Sequence, residues 1–179
     1  AARHGPLVVS EGRDFRPYAR QPNRLAECVV PEVVQGAVLG VKGIGGYQFV
    51  CTPESAYAVL KLREIKMRNR KPFAVMFPSI DRLRDFASVS PAERDLLLSP
   101  ARPIVLLSAG RSHFERYVSG ESMYLGAFLP NTGLHKILTD SCGPLIVTSG
   151  NISDEPMSFR DEDYFRHEFN AVEGVLYNK

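Results

Sequence analysis

Tryptophan is missing from the 179 residues and cysteine is scarce: Cys28, Cys51 and Cys142 stand far apart, with no CxxC pair among them. That spacing excludes a zinc knuckle or a disulfide framework and reads as three reduced, mostly buried thiols of a cytoplasmic protein. Long apolar runs are lacking too. The longest, such as PIVLL at 103–107, fall far short of the ~20 residues that a membrane span needs. The opening AARHGP has no apolar stretch of a secretory signal. It starts on Ala1 rather than methionine, as a processed or excised piece would. Signatures of self-contained catalysis are also missing: no Ser-His-Asp pattern, no HExxH, no Walker A loop, no GxGxxG and no internal repeat. What is present is an ordinary globular composition, 44% hydrophobic and 23% charged, enough for one domain with a core of its own.

Charge is the first positive signal. From Lys61 to Lys71 stand Lys61, Arg63, Lys66, Arg68, Arg70 and Lys71 against the single acid Glu64, a local charge of +5. The whole chain carries only +2, so everything else sums to −3. Positive charge pooled at one helix end suits a polyanion, although a solvated helix face would look the same by charge alone.

Along the chain, residues 1–32 are rich in Pro, Arg and Gly and read as an irregular arm with one strand at 7–10; regular structure is expected from Val33. AVLGV (37–41) suits a buried strand running into the glycine turn KGIGG, Lys42 to Gly46, where backbone amides and Lys42 could approach an anion. YQFVC (47–51) follows as a strand. Thr52, Pro53 and Glu54 punctuate a helix start, with Ala56, Val59, Leu60, Leu62 and Ile65 as its apolar stripe and Arg63, Lys66 and Arg70 on another face. Pro72 stops that helix before FAVMF (73–77). Helices are expected at 80–86 and, from the SPAE capping box, at 91–98. PIVLL is a buried strand, 108–122 a loop and MYLGAFLP (123–130) a strand. Thr132 caps a short helix, 134–139; PLIVTSGN (144–151) is a strand ending in small polar residues. Ser158 with Asp161 opens a helix to 169, and 172–177 is the last strand. The alternation gives an α/β fold, a twisted mixed sheet with flanking helices, whose ligands sit at strand ends.

Lys66 and Arg68 at the helix exit offer fixed cations, one of them a bidentate fork. Ser149 and Asn151 after the strand offer a hydroxyl and an amide. With no general base in view, that set would work by positioning and electrostatics, the mode of phosphoryl and nucleotidyl transfer. The plainer readings are an Asx-type turn for SGN, a satisfied core residue for His135, packing thiols for Cys51 and Cys142, and core aromatics for Tyr47 and Phe49.

Taken in order, GAVLGVKGIGG, KMRNRKPFAVM, SPARPIVLL, LPNTGLH and PLIVTSGNISDEP resemble the YrdC-like domain family over residues 34–178, in the form carried by HypF-type hydrogenase-maturation carbamoyltransferases. The resemblance implies a concave, basic ATP pocket and, with Mg2+ accompanying the ATP, attack of a carbamate oxygen on the α-phosphorus to give carbamoyl-adenylate and pyrophosphate. A neighbouring transferase domain, or a carbamoyl-acceptor protein, would then take the carbamoyl group toward the cyanide ligands of a nickel–iron site. The wider family makes threonylcarbamoyl-adenylate from threonine, bicarbonate and ATP for tRNA modification. The family's K-x-R falls on Lys66 and Arg68 and its S-x-N on Ser149 and Asn151, as the catalytic set. Lys42, Gly45, Gly46, Lys71 and Thr148 fall where nucleotide contacts are expected, with no protein-held metal. A non-catalytic module for nucleotide or double-stranded RNA is the third reading, ranked behind these. The family's GFHLACD stands here as GYQFVCT, placing Gln48 for histidine and Thr52 for aspartate, and its LPYTPLH as LPNTGLH. The chain stops at Lys179, where the family continues into a loop and strand that help close the pocket. RHGP at 3–6 resembles a remnant of the cysteine-rich segment that precedes the domain in HypF.

Overall fold

The apolar runs line up in a single mixed sheet. The computed structural model describes residues 7–11, 25–110, 115–153, 155–167 and 171–178. Their elements, in order, are β1 (Leu7–Glu11), α1 (Leu25–Val34), β2 (Leu39–Gly43), β3 (Gly46–Cys51), α2 (Ala56–Ile65), β4 (Ala74–Met76), α3 (Ile80–Arg84), α4 (Pro91–Leu98), β5 (Val105–Ser108), α5 (Glu115–Val118), β6 (Tyr124–Phe128), α6 (Gly133–Cys142), β7 (Leu145–Ser149), α7 (Asp161–Arg166) and β8 (Gly174–Asn178). Eight strands run in the order β1-β8-β2-β3-β7-β4-β6-β5. Pairing is antiparallel except for β2 with β8 and β4 with β6.

Alternation along the strands splits the core into two layers. Phe49, Cys51, Val75, Phe77 and Ile146 face one side, under α2, α3, α4, α5 and α7. Val50, Met76, Leu145 and Val147 face the other, under α1 and α6, which pack on each other. The central strand β7, between β3 and β4, ends at Ser149.

Several expectations need correction. Regular structure does not wait for Val33: α1 begins at Leu25 and tolerates Pro31 inside it, because Val29 and Val33 are buried on the second core layer. The strand expected at 7–10 is there as Leu7–Glu11, but it pairs with β8 at the sheet edge and so belongs to the sheet and not to a separate arm; residues 1–6, with RHGP, and 12–24 lie outside the described residues. KGIGG is a tight hairpin: Lys42 pairs with Tyr47 and Gly43 with Gly46, leaving Ile44 and Gly45 as a two-residue turn between antiparallel strands. The cap of α2 is Ser55, whose hydroxyl accepts from Ala58 N, rather than Thr52. PIVLL is an edge strand with Leu106 67% exposed, since β5 is outermost in the sheet. The loop expected at 108–122 contains α5, and α6 runs on to Cys142. Ser158 does not cap α7: its carbonyl instead accepts from Tyr47 N at 2.9 Å, and α7 starts after Arg160. The expected extension of α7 to 169 reaches residues outside those described.

Candidate active site

The site begins at the end of α2. Lys66 is its C-cap; Met67 N bonds Glu64 O and Arg68 N bonds Arg63 O, the paired reverse bonds of a Schellman ending. Such an ending needs a left-handed residue, usually glycine; here Met67 holds φ at 50°. The turn sends Lys66 and Arg68 in different directions. Arg63, expected with Lys66 and Arg70 on a face apart from the apolar stripe, is buried: its guanidinium donates to the carbonyls of Arg68, Lys71, Tyr117 and Val118 at 2.9–3.3 Å. It ties the basic loop 66–71 to α5. Its sequence signal was spacing, one turn before Lys66 on a helix whose inward stripe was already apolar, and that signal does not distinguish inward from outward.

Lys66 is 2% exposed and reaches the end of β7. Its ammonium donates to Ser149 O at 2.6 Å and Asn151 O at 2.8 Å, and lies 3.2 Å from Asn151 Oδ1 and 3.4 Å from Ser149 Oγ, above the Phe49 ring. Ser153 N returns a bond to Lys66 O. Burial first, then the charges of Arg68 and Lys71, lower its pKa from the usual lysine range to about 8. Gly150 between the two polar residues is dictated by packing: it passes over β3, its N–H bonding Tyr47 O, and a Cβ there would lie 2.9 Å from Tyr47 backbone atoms.

Arg68 stacks on Phe73, as Arg63 does, and donates to the carbonyls of Lys71 and Pro72. It is close enough to Lys66 to depress its ionisation, while Lys71 is exposed beside it. Thr148 is half-buried on β7 opposite Phe49. Lys66, Ser149 and Asn151 thus come together, with Arg68 and Lys71 as charged neighbours. Lys42 is engaged elsewhere, in an ion pair with Asp161, whose carboxylate also accepts from Tyr47 Oη at 2.8 Å. Gly46 has a packing reason as well, since its φ of 134° and a contact of 2.7 Å from a would-be Cβ to Ser158 O exclude a side chain. Gly45 sits in the exposed hairpin turn.

The LPNTG stretch joins from the second core layer. Thr132 caps α6 by accepting from His135 N, and the buried His135 ring has Asn131 Oδ1 and Gln48 Oε1 each 2.9 Å from a ring nitrogen. Gln48 is the cross-strand partner of Ser149. His135 is thus the satisfied residue its apolar helix suggests, and Tyr47 and Phe49 are fully buried core.

A separate cleft of about 440 Å³ opens at the far ends of β4 and β6, lined in part by Arg84, Arg94, Arg102 and Lys136. Its cations are largely compensated: Arg84 pairs with Asp81, Arg94 with Asp95 and Lys136 with Asp140. The less compensated positive charge is at 66–71.

The fold is thus a mixed α/β sheet whose central strand ends in a hydroxyl–glycine–amide turn, clamped by a buried lysine beside further cations. The chain belongs to the Sua5/YciO/YrdC family, whose profile, described as telomere recombination, matches residues 32–179. Carbamoyltransferase HypF of Rhodobacter capsulatus is 42% identical over 129 residues, 72% of this chain and 17% of that protein. Threonylcarbamoyl-AMP synthase of Xanthomonas axonopodis pv. citri (strain 306) is 30% identical over 136 residues, 71% of each chain. A crystal structure of full-length HypF in the phosphate- and nucleotide-bound form superposes with a TM-score of 0.86 at 31% identity, covering 98% of this chain and 23% of that one. The chain therefore spans about a fifth of the HypF proteins it matches. Among the described residues no helix is long and apolar enough to cross a membrane.

Proposed function

We propose that this domain forms carbamoyl-adenylate from ATP and carbamate, releasing pyrophosphate, for transfer by a neighbouring domain or to an acceptor protein. The observation that carries the reading is the Lys66 ammonium drawing Ser149 and Asn151 into one turn beside Arg68 and Lys71. Carbamate is already an anion, so its oxygen attacks the α-phosphorus without a general base; the new P–O bond replaces the bond to the pyrophosphate oxygen, which leaves with its electron pair. Arg68 and Lys71 offset the triphosphate charge, Ser149 and Asn151 orient the reacting groups, and Lys66 holds that turn and adds its field. For Lys42 to reach a phosphate it must leave Asp161. Among the described residues no three His, Cys, Asp or Glu side chains cluster as a metal cage. Mg2+ accompanying the ATP would be held by the phosphates and water and would supply charge neutralisation there.

Identity to a threonylcarbamoyl-AMP synthase over most of both chains favours a second reading, threonylcarbamoyl-adenylate from threonine, bicarbonate and ATP. Exchange of labelled pyrophosphate into ATP separates the two. Carbamate-dependent exchange without threonine supports the first, and strict dependence on threonine replaces it with the second. An RNA-binding role would show instead as binding that weakens steeply with salt and no exchange.

A further inference from the structure

Two loops tie to the β3–β7 pair from different parts of the chain, one through Lys66 on Ser149 and one through His135 on Gln48. The basic loop 66–71 comes from α2 on one core layer, and the Asn131–Gly133 turn comes from the start of α6 on the other. Only the first is accounted for by the cations. The second is connected to the site through a continuous run of polar groups: Asn131, His135 and Gln48 at 2.9 Å steps, then the β3–β7 rung from Gln48 to Ser149. Directly paired residues of an antiparallel ladder share a face with Cβ atoms about 5 Å apart, so the Gln48 and Ser149 side chains leave the sheet on the same face, the Gln48 amide oxygen lying at Gly43 of β2 and the His135 ring.

The run is built in rather than incidental. His135 is 3% exposed, yet both ring nitrogens have partners. Gly43 makes room for it, since a Cβ there would be 3.1 Å from Gln48 Oε1. Burial holds the His135 pKa below its ordinary value, so the ring is neutral. A neutral imidazole donates from one nitrogen and accepts at the other; since both amides face the ring with their oxygens, one of them must turn its NH2 to the accepting nitrogen. The run therefore has a direction and a single tautomer.

We propose that Gln48 and His135 are positioning residues for the reaction: with Asn131 they hold the Asn131–Gly133 turn in register with Ser149, on the side of the site away from the cations. This rests on the adenylate-forming reading. Triphosphate binding depends on the loop 66–71, whereas the turn bears on how the small co-substrate is held beside Ser149. Loss of the run then affects use of the co-substrate and spares ATP.

The test replaces Gln48 by methionine, which keeps length and removes its amide from the His135 ring, and by histidine, the residue of the HypF-type pattern, as the conservative variant. In Gln48→Met, kcat/KM for carbamate in pyrophosphate exchange should fall at least tenfold, while the Kd of a fluorescent ATP analogue stays within twofold and Tm is nearly unchanged. Gln48→His should restore exchange to within threefold of the original. In parallel, 15N spectra of the His135 ring should show one neutral tautomer in the original chain and tautomer averaging in Gln48→Met. Exchange within twofold of the original in Gln48→Met, or loss of ATP binding in step with turnover and Tm, overturns the proposal. If the unsubstituted protein shows no carbamate-dependent exchange, the reaction assigned above fails, and the ring spectra still decide whether the Gln48–His135 link exists.

Discussion

Met67 is a side chain held where a glycine would be easier. Its φ of 50° closes α2, and its own side chain is 73% exposed, so nothing but the turn explains the conformation. Met67→Gly should raise stability by about 0.5–1 kcal/mol, seen as a higher urea midpoint with unchanged slope. Lys66 sets a pH dependence. Its ammonium is held at about 8 in the folded chain against 10.5 ordinarily. Below pH 8 both folded and unfolded states keep the proton, and the fold carries the full cost of burying it. Between about 8 and 10.5 only the folded state sheds the proton, so stability relative to Lys66→Met should rise with pH across that window. ATP affinity should move the opposite way, weakening through about pH 8 as the cation is lost. Isothermal titration from pH 7 to 9.5 checks this, and the inflection should be absent in Lys66→Met.

At the level of elements, the site depends on two junctions. One is the Arg63 clamp on four carbonyls of the basic loop and α5. Arg63→Met leaves those carbonyls without their charged donor and should cost about 2–4 kcal/mol, read as a lower denaturation midpoint, with faster hydrogen exchange across 66–73. The other junction is the crossing of the β7 end over β3. Gly150→Ala would press a methyl on the Tyr47 backbone, which cannot yield as a side-chain tip can. Pyrophosphate exchange should fall at least tenfold in this variant, even where circular dichroism shows the fold retained. A glycine between two polar residues was visible in SGN from the start. What it must avoid was not, because Tyr47 lies a hundred residues away in sequence.

At the level of the molecule, the sheet ends in an open edge. Among the described residues β5 pairs with β6 alone, and its Leu106, with Ile104 just before the strand, is open to solvent at 67% and 58% exposure. Unprotected apolar edges invite pairing with another chain. Leu106→Lys should therefore reduce concentration-dependent association of the isolated chain, measured by sedimentation velocity, without altering nucleotide exchange at the distant site.

Local physics settled much of this architecture in advance. Apolar runs at AVLGV, FAVMF and PLIVT become β2, β4 and β7 because their residues suit strands covered on both faces. Ser90 with Glu93 closes a capping box on α4 because its partners are three residues apart. Pairing of the basic helix exit with the SGN turn was also legible, through the ordered motifs that resemble the family. Tertiary structure alone decided where long side chains go. Arg63 and Lys66 both turn inward to backbone carbonyls, and Lys42 turns to Asp161. Charge and spacing say that a cation is present; only the arrangement of distant carbonyls and carboxylates determines whether its burial is compensated, and so which way it points.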